Sequence, residues 1–144
     1  MSTTPFFSIV TASYNSEKTI SDTIVSVLNL DFQDFEYIII DGSSSDSTLE
    51  IIKSFVPKFE AKGVSYKFIS EKDKGIYDAW NKGIQLSSGK WISFLGSDDS
   101  YLLNALQLYF IEIEKNKTIN YISSQVNLTN EKGKVLSVFG KKYD

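Results

Sequence analysis

Two adjacent carboxylates, Asp98 and Asp99, follow Gly96 and Ser97 at the end of the apolar run Trp91-Ile92-Ser93-Phe94-Leu95. Carboxylate oxygens are hard donors, and a pair of them can hold Mg²⁺ or Mn²⁺ against a diphosphate. The same pair has a plainer use. Leu102, Leu103, Leu106, Tyr109, Phe110 and Ile113 recur at helical spacing just beyond it, and Asp99 or Ser100 could cap that helix. Two further polar clusters also follow apolar runs: Thr11-Ala12-Ser13-Tyr14-Asn15 and Asp41-Gly42-Ser43. If the runs are neighbouring strands, three acidic side chains, several hydroxyls and the Tyr14 ring surround one crevice. Carboxylates gathered there repel one another, and a divalent cation relieves the repulsion.

Composition removes several chemistries. The chain of 144 residues has no histidine and no cysteine, which excludes a His-based triad, an imidazole base, a zinc site of the usual type and thiol catalysis. All fifteen basic residues are lysine, so no bidentate guanidinium clamp on phosphate is available. The lysines are scattered, the net charge is −3, and nucleic acid is not an expected partner. No run reaches the ~20 apolar residues of a membrane helix. Met1-Ser2-Thr3-Thr4-Pro5 lacks the basic start of a signal peptide, and a cytoplasmic location is expected.

The elements that must position these residues alternate. A first strand is predicted over Phe6 to Ala12, then a helix with Ile20, Ile24, Val27 and Leu28 on one stripe, capped by Asn15 or Ser16. A second strand covers Phe35 to Ile40. Ser47-Thr48-Leu49-Glu50 has capping-box spacing before a helix that Pro57 ends or kinks, and Lys58 to Gly63 reads as a charged connection. Val64 to Ser70 alternates like a strand near the edge of a sheet, and a short helix carries Ile76, Ala79, Trp80, Gly83 and Ile84. Trp91 to Leu95 reads as a central strand, buried on both faces, with a helix over Leu102 to Glu114 behind it. Asn120 to Leu128 and Val135 to Phe139 flank the hairpin turn Asn130-Glu131-Lys132-Gly133. This order predicts an α/β fold with a mainly parallel, doubly wound sheet and a C-terminal β-hairpin, in a single domain spanning 1–144. Asp41, beyond a strand end, is expected to contribute little to stability.

No G-x-G-x-x-G follows the first strand, so a dinucleotide-binding fold of that type is not expected. Gly83 to Trp91 imitates a phosphate loop, but it has one residue too many, ends on Trp91 and precedes a strand.

Taken together, Ser8-Ile9-Val10-Thr11-Ala12-Ser13-Tyr14-Asn15, Ile38-Ile39-Ile40-Asp41-Gly42-Ser43-Ser44-Ser45-Asp46-Ser47-Thr48 and Phe94-Leu95-Gly96-Ser97-Asp98-Asp99 resemble the family 2 glycosyltransferases with the GT-A fold, a Rossmann-like nucleotide-diphospho-sugar transferase fold. Glu71-Lys72-Asp73-Lys74-Gly75-Ile76-Tyr77-Asp78-Ala79-Trp80-Asn81-Lys82-Gly83 is similar to that family's middle motif. The resemblance implies an enzyme that moves a sugar from a nucleotide diphosphate sugar to an acceptor hydroxyl, usually with inversion, aided by Mn²⁺ or Mg²⁺. It implies that Thr11, Ala12, Tyr14 and Asn15 bind the donor, that Asp41 lies at the base, that Asp98 contacts ribose or sugar, and that Asp99 holds the metal. A UDP-sugar is the expected donor, and a glycan or lipid-linked molecule the expected acceptor. Peripheral membrane association of a longer enzyme fits that role. The chain departs from the family at Gly42, where a second carboxylate is common, and at Trp80, where an arginine is common. Family members also run on well beyond this length, so the resemblance implies a donor-binding part whose catalytic base lies elsewhere. The competing expectations are a nucleotide-binding module without activity and a phospho-receiver domain. The latter would need its acidic pair after the first strand.

Overall fold

The computed structural model describes residues 3–140. The longest apolar runs become the inner strands of a four-stranded parallel sheet: β1 (Phe7–Ser13) and β2 (Phe35–Asp41). Every residue of β2 is buried, as its unbroken Tyr-Ile-Ile-Ile core requires. Between them runs α1 (Ile20–Leu28), which buries Ile20, Thr23, Ile24 and Val27. After β2 come α2 (Thr48–Ser54), α3 (Val56–Lys62) and β3 (Ser65–Ser70), then α4 (Ile76–Leu86) and β4 (Trp91–Phe94). The strand order is β3-β2-β1-β4, with β1 registered against β2 from Phe7↔Phe35 to Ser13↔Asp41. The order reverses at β1, where the connections turn from one side to the other. That is where open α/β sheets place their ligands.

By contact density the chain forms two compact units, Met1–Gln107 and Leu108–Asp144. Helix α5 (Ala105–Lys115) is followed by an antiparallel hairpin of β5 (Val126–Thr129) and β6 (Val135–Phe139). Asn130 Oδ1 accepts the backbone N–H groups of Lys132 and Lys134, and Gly133 takes φ 77° to close the turn.

Several expectations are corrected here. The helix before Pro57 does end, at Ser54, but the chain turns straight into a new one, with Pro57 in the first turn of α3, where its missing N–H costs nothing. The segment expected as a charged connection is therefore α3. Its Phe59 is fully buried, stacked on Tyr66 at 4.3 Å between centroids and close to Tyr37. β4 is an edge strand, paired with β1 alone among the described residues, so Ile92 and Phe94 stay partly exposed. Leu102 and Leu103 precede α5 and are exposed, and the hairpin strand begins at Val126. The side chains of Asn15, Ser16 and Ser47 do not cap α1 or α2. Asp46 Oδ1 instead accepts from the N–H and hydroxyl of Thr48.

The end of the sheet away from the strand C-termini is braced by one buried carboxylate. Glu36 Oε1 accepts Ser8 Oγ at 2.6 Å, the Ser88 N–H at 2.6 Å and Ser88 Oγ at 2.9 Å, while Lys67 Nζ reaches Oε2 at 2.8 Å. Four segments meet on this side chain. Burial works to raise its pKa, but the donors outweigh it and lower the value to about 2.

Candidate functional site

The C-terminal ends of β1 and β2 are knotted around Asp41. Its carboxylate accepts Ser13 Oγ at 3.2 Å, the Ser44 N–H at 3.0 Å, Ser44 Oγ at 2.5 Å and Ser70 Oγ at 2.6 Å. Asp41 is completely buried. A carboxylate so placed fixes the turn after β2, and the expectation of an energetically idle turn residue is corrected. Two residues of this region adopt left-handed backbone although neither is glycine: Asn15 (φ 47°) and Ser43 (φ 61°). Asn15 is held there from both sides, its N–H donating to Ser44 Oγ and its Oδ1 accepting the Ser45 N–H. Ser16 Oγ shares a 2.9 Å hydrogen bond with Ser97 Oγ, which joins the turn after β1 to the one after β4. The three polar turns thus meet along one edge of the sheet.

They border a cavity of about 600 Å³, ample for a nucleotide-sized ligand. Ala12 and Ser13 line it from β1, Tyr14 from the turn after β1, Gly42 and Ser43 from the turn after β2, and Ser97 from the turn after β4. The remaining wall is the loop before α4 and that helix's first turns, with Lys72, Asp73 and Gly75 and then Ile76 and Ala79. This wall is built by local rules. Asp73 Oδ1 accepts the Gly75 N–H at 2.9 Å, and Asp78 Oδ2 reaches back to the Lys74 N–H at 3.0 Å. Gly75 takes φ 111° and ψ −178°, a conformation open essentially to glycine alone. α4 packs tightly on β1 because residue 83 is glycine: a Cβ there would lie 2.3 Å from Val10 Cγ1. Tyr14 is 65% exposed, so a ring face remains available to a ligand.

Beside Ser97, Asp98 and Asp99 lie in the turn after β4, and α5 begins only at Ala105. Helix capping is therefore not what this pair does. A Cβ placed on Gly96 would meet Asp99 Oδ2 at 2.6 Å and Asp98 Oδ1 at 3.1 Å, so the two carboxylates face a common point. Neither is ion-paired among the described residues. Partial desolvation of its carboxyl, and next the charge of Asp98, push the Asp99 pKa up. Two convergent hard oxygens with uncompensated repulsion are a donor set that a divalent cation fits. Among the described residues no group of three possible metal ligands gathers.

The sequence profile of glycosyl transferase family 2 matches residues 8–137, nearly the whole described chain. The chain belongs to that family. One curated relative is the PGL/p-HBAD biosynthesis glycosyltransferase of Mycobacterium tuberculosis. It is 35% identical over 96 residues, which are 67% of this chain and 36% of that protein. Among solved structures, residues 1–349 of S. aureus TarS in complex with UDP-GlcNAc superpose with a TM-score of 0.70 and 26% identity, over 77% of this chain and 32% of that one. The mannosyltransferase PcManGT of Pyrobaculum calidifontis, in complex with GDP-Man and Mn²⁺, shares the fold at a TM-score of 0.65. It is 16% identical, over 71% of this chain and 30% of that one. The chain thus spans about a third of the length of each of these matched chains.

Against the positions implied by family 2 resemblance, Ala12 and Tyr14 line the cavity, and Asn15 braces its rim. Thr11 lies fully buried behind it, its hydroxyl 3.0 Å from the Tyr37 hydroxyl. Trp80 is half-buried on the cluster of Val10, Ile38, Ile40 and Ala79, its ring 4.8 Å from that of Phe94. Asp73 and Lys72 were missed as lining residues. An Asp two residues before a glycine that opens a helix is a turn signal, but only the folded chain shows that the loop swings over Gly42.

Proposed function

We propose that this chain binds a nucleotide diphosphate sugar, a UDP-sugar by first choice, together with Mn²⁺ or Mg²⁺, as the donor for glycosyl transfer to an acceptor hydroxyl. The observation that carries this reading is the convergence of Asp98 and Asp99 over Gly96, directly beside a cavity walled by Tyr14. The diphosphate bridges from the cavity to these carboxylates, and the nucleoside lies toward the β2 and β3 ends. A cation held by Asp98 and Asp99 would supply Lewis-acid stabilisation of the charge that grows on the departing diphosphate. This chain's part is to orient the donor: Tyr14 packs on a ring, Ser13, Ser43 and Ser97 offer hydroxyls, and Lys72 supplies a positive charge where no arginine exists. The UDP-GlcNAc complex of TarS supports the choice of uridine, and the Mn²⁺ complex of the mannosyltransferase supports the metal.

We further propose that this chain binds donor without transferring the sugar, which would go, with inversion, to a glycan or lipid-linked acceptor. Transfer of that kind needs a carboxylate base within reach of the acceptor hydroxyl. At the strand ends, Asp41 is locked by four donors. In this reading Asp98 and Asp99 serve the diphosphate and its metal, and the base is supplied from outside these residues. The test is a thermal-shift panel of nucleotide diphosphate sugars with Mn²⁺, followed by incubation with mixed glycan acceptors. Stabilisation by at least one donor, with no acceptor-dependent product, is expected. No shift with any donor would contradict the binding reading, and product at ordinary enzymatic rates would contradict the missing base.

A further inference from the structure

We propose that Asp73 selects the nucleobase, accepting the ring N–H of a base in which that nitrogen lies beside a carbonyl, as in uracil and guanine. The inference rests on the donor-site reading above and adds to it the residue that reads the base. Among the described residues lining the cavity, Asp73 is the one carboxylate. Its two oxygens have different roles. Oδ1 is tied to the Gly75 N–H, which fixes the side chain's direction. Oδ2 points toward Gly42, where a Cβ would lie 2.7 Å away. The same point on Gly42 is 3.4 Å from Cδ2 of the Tyr14 ring. A carboxylate oxygen and an aromatic ring therefore converge over a bare backbone, and glycine at 42 leaves that space open.

Such a pair suits a flat heteroaromatic ring. Tyr14 offers a face on which any base stacks without regard to sequence. Discrimination must come from the edge, and an ionised carboxylate can only accept. Uracil N3 and guanine N1 carry a hydrogen and satisfy it. Cytosine N3 and adenine N1 turn a lone pair toward the same oxygen and are rejected. Asp41 cannot do this reading. It is fully buried, it does not line the cavity, and four protein donors occupy its carboxylate. The order of the strands agrees: the loop bearing Asp73 follows edge strand β3, while Asp98 and Asp99 follow β4 at the other edge. A base at one end and a diphosphate at the other fit the span between them.

The experiment is calorimetric titration of UDP, GDP, CDP and ADP, each with Mn²⁺, into the chain and two variants. Wild type is expected to bind UDP or GDP roughly tenfold or more tighter than CDP and ADP, the scale of one charge-assisted hydrogen bond. Asp73→Asn keeps an oxygen for the Gly75 N–H but turns an amide donor toward the base. It should weaken UDP and GDP and strengthen CDP or ADP. Asp73→Ser keeps the turn through its hydroxyl and removes the carboxylate, so all four nucleotides should bind within a few-fold of one another. Equal wild-type affinity for the four would overturn the assignment. So would a uniform loss of affinity for all four in both variants, which marks Asp73 as a brace of the loop. Absence of binding by any nucleotide would sink the donor-site reading itself, and this inference with it.

Discussion

Ser70 Oγ donates to Asp41 Oδ2 at 2.6 Å, tying the end of β3 to the end of β2 directly beneath the cavity. With Ser13 and Ser44 donating to the same carboxylate, Asp41→Ala leaves the buried Ser13 hydroxyl and three partly buried donors of Ser44 and Ser70 without an acceptor. We expect a loss of roughly 2–4 kcal/mol, read by urea unfolding. A melting temperature unchanged from wild type would show that this knot is not holding the strand ends.

Gly83 against Val10 gives a second stability test. Gly83→Ala brings a methyl group to 2.3 Å from Val10 Cγ1, and α4 must lift from β1. The expected cost is roughly 1–3 kcal/mol of overpacking, even though alanine is the better helix former. Val10→Ala in the same chain makes room, so the double variant should lose less than the sum of the two single losses. Strict additivity would mean that the contact does not govern the packing.

Glu36 sets a pH dependence. Its pKa is lowered on folding from 4.5 to about 2, so its contribution is complete above pH 4.5 and is lost as pH falls through about 2. Lys67 is 44% exposed, and solvent screens that partner. A contribution on the order of 2 kcal/mol is expected. Glu36→Gln should be clearly less stable than wild type at pH 6, and the gap should close toward pH 2. A gap independent of pH would contradict the ionised state of Glu36.

Asp98 and Asp99 repel each other over Gly96 in the absence of a cation. Asp99→Asn should therefore leave the unliganded chain at least as stable as wild type, by thermal melting. The extra stability that Mn²⁺ and UDP together give should fall at the same time. A strongly destabilised Asp99→Asn chain would place the pair in the structure of the turn instead of in ligand binding.

The α/β alternation, the inner strands and the hairpin were legible in the sequence because their apolar runs and turn residues are local signals. Two errors came from neighbours that sequence does not reveal. Trp91 to Phe94 is apolar enough for a central strand, yet it pairs on one side only among the described residues. Phe59 hid inside a run of charged residues, and only its stack on Tyr66 explains why the chain is helical there. At the site, Asp98 and Asp99 were legible because they adjoin a strand end. Asp73 was not, since its importance arises from a loop that passes over Gly42, thirty-one positions earlier in a chain of 144 residues.

The central claim, metal-assisted binding of a nucleotide diphosphate at the β1 and β4 ends, is tested most directly by one calorimetric comparison. UDP is titrated into the chain in Mn²⁺ and again in EDTA. Binding roughly tenfold or more tighter with Mn²⁺ is expected, with the difference abolished in Asp99→Asn. Equal affinity with and without the metal, or no binding in either, would contradict the account.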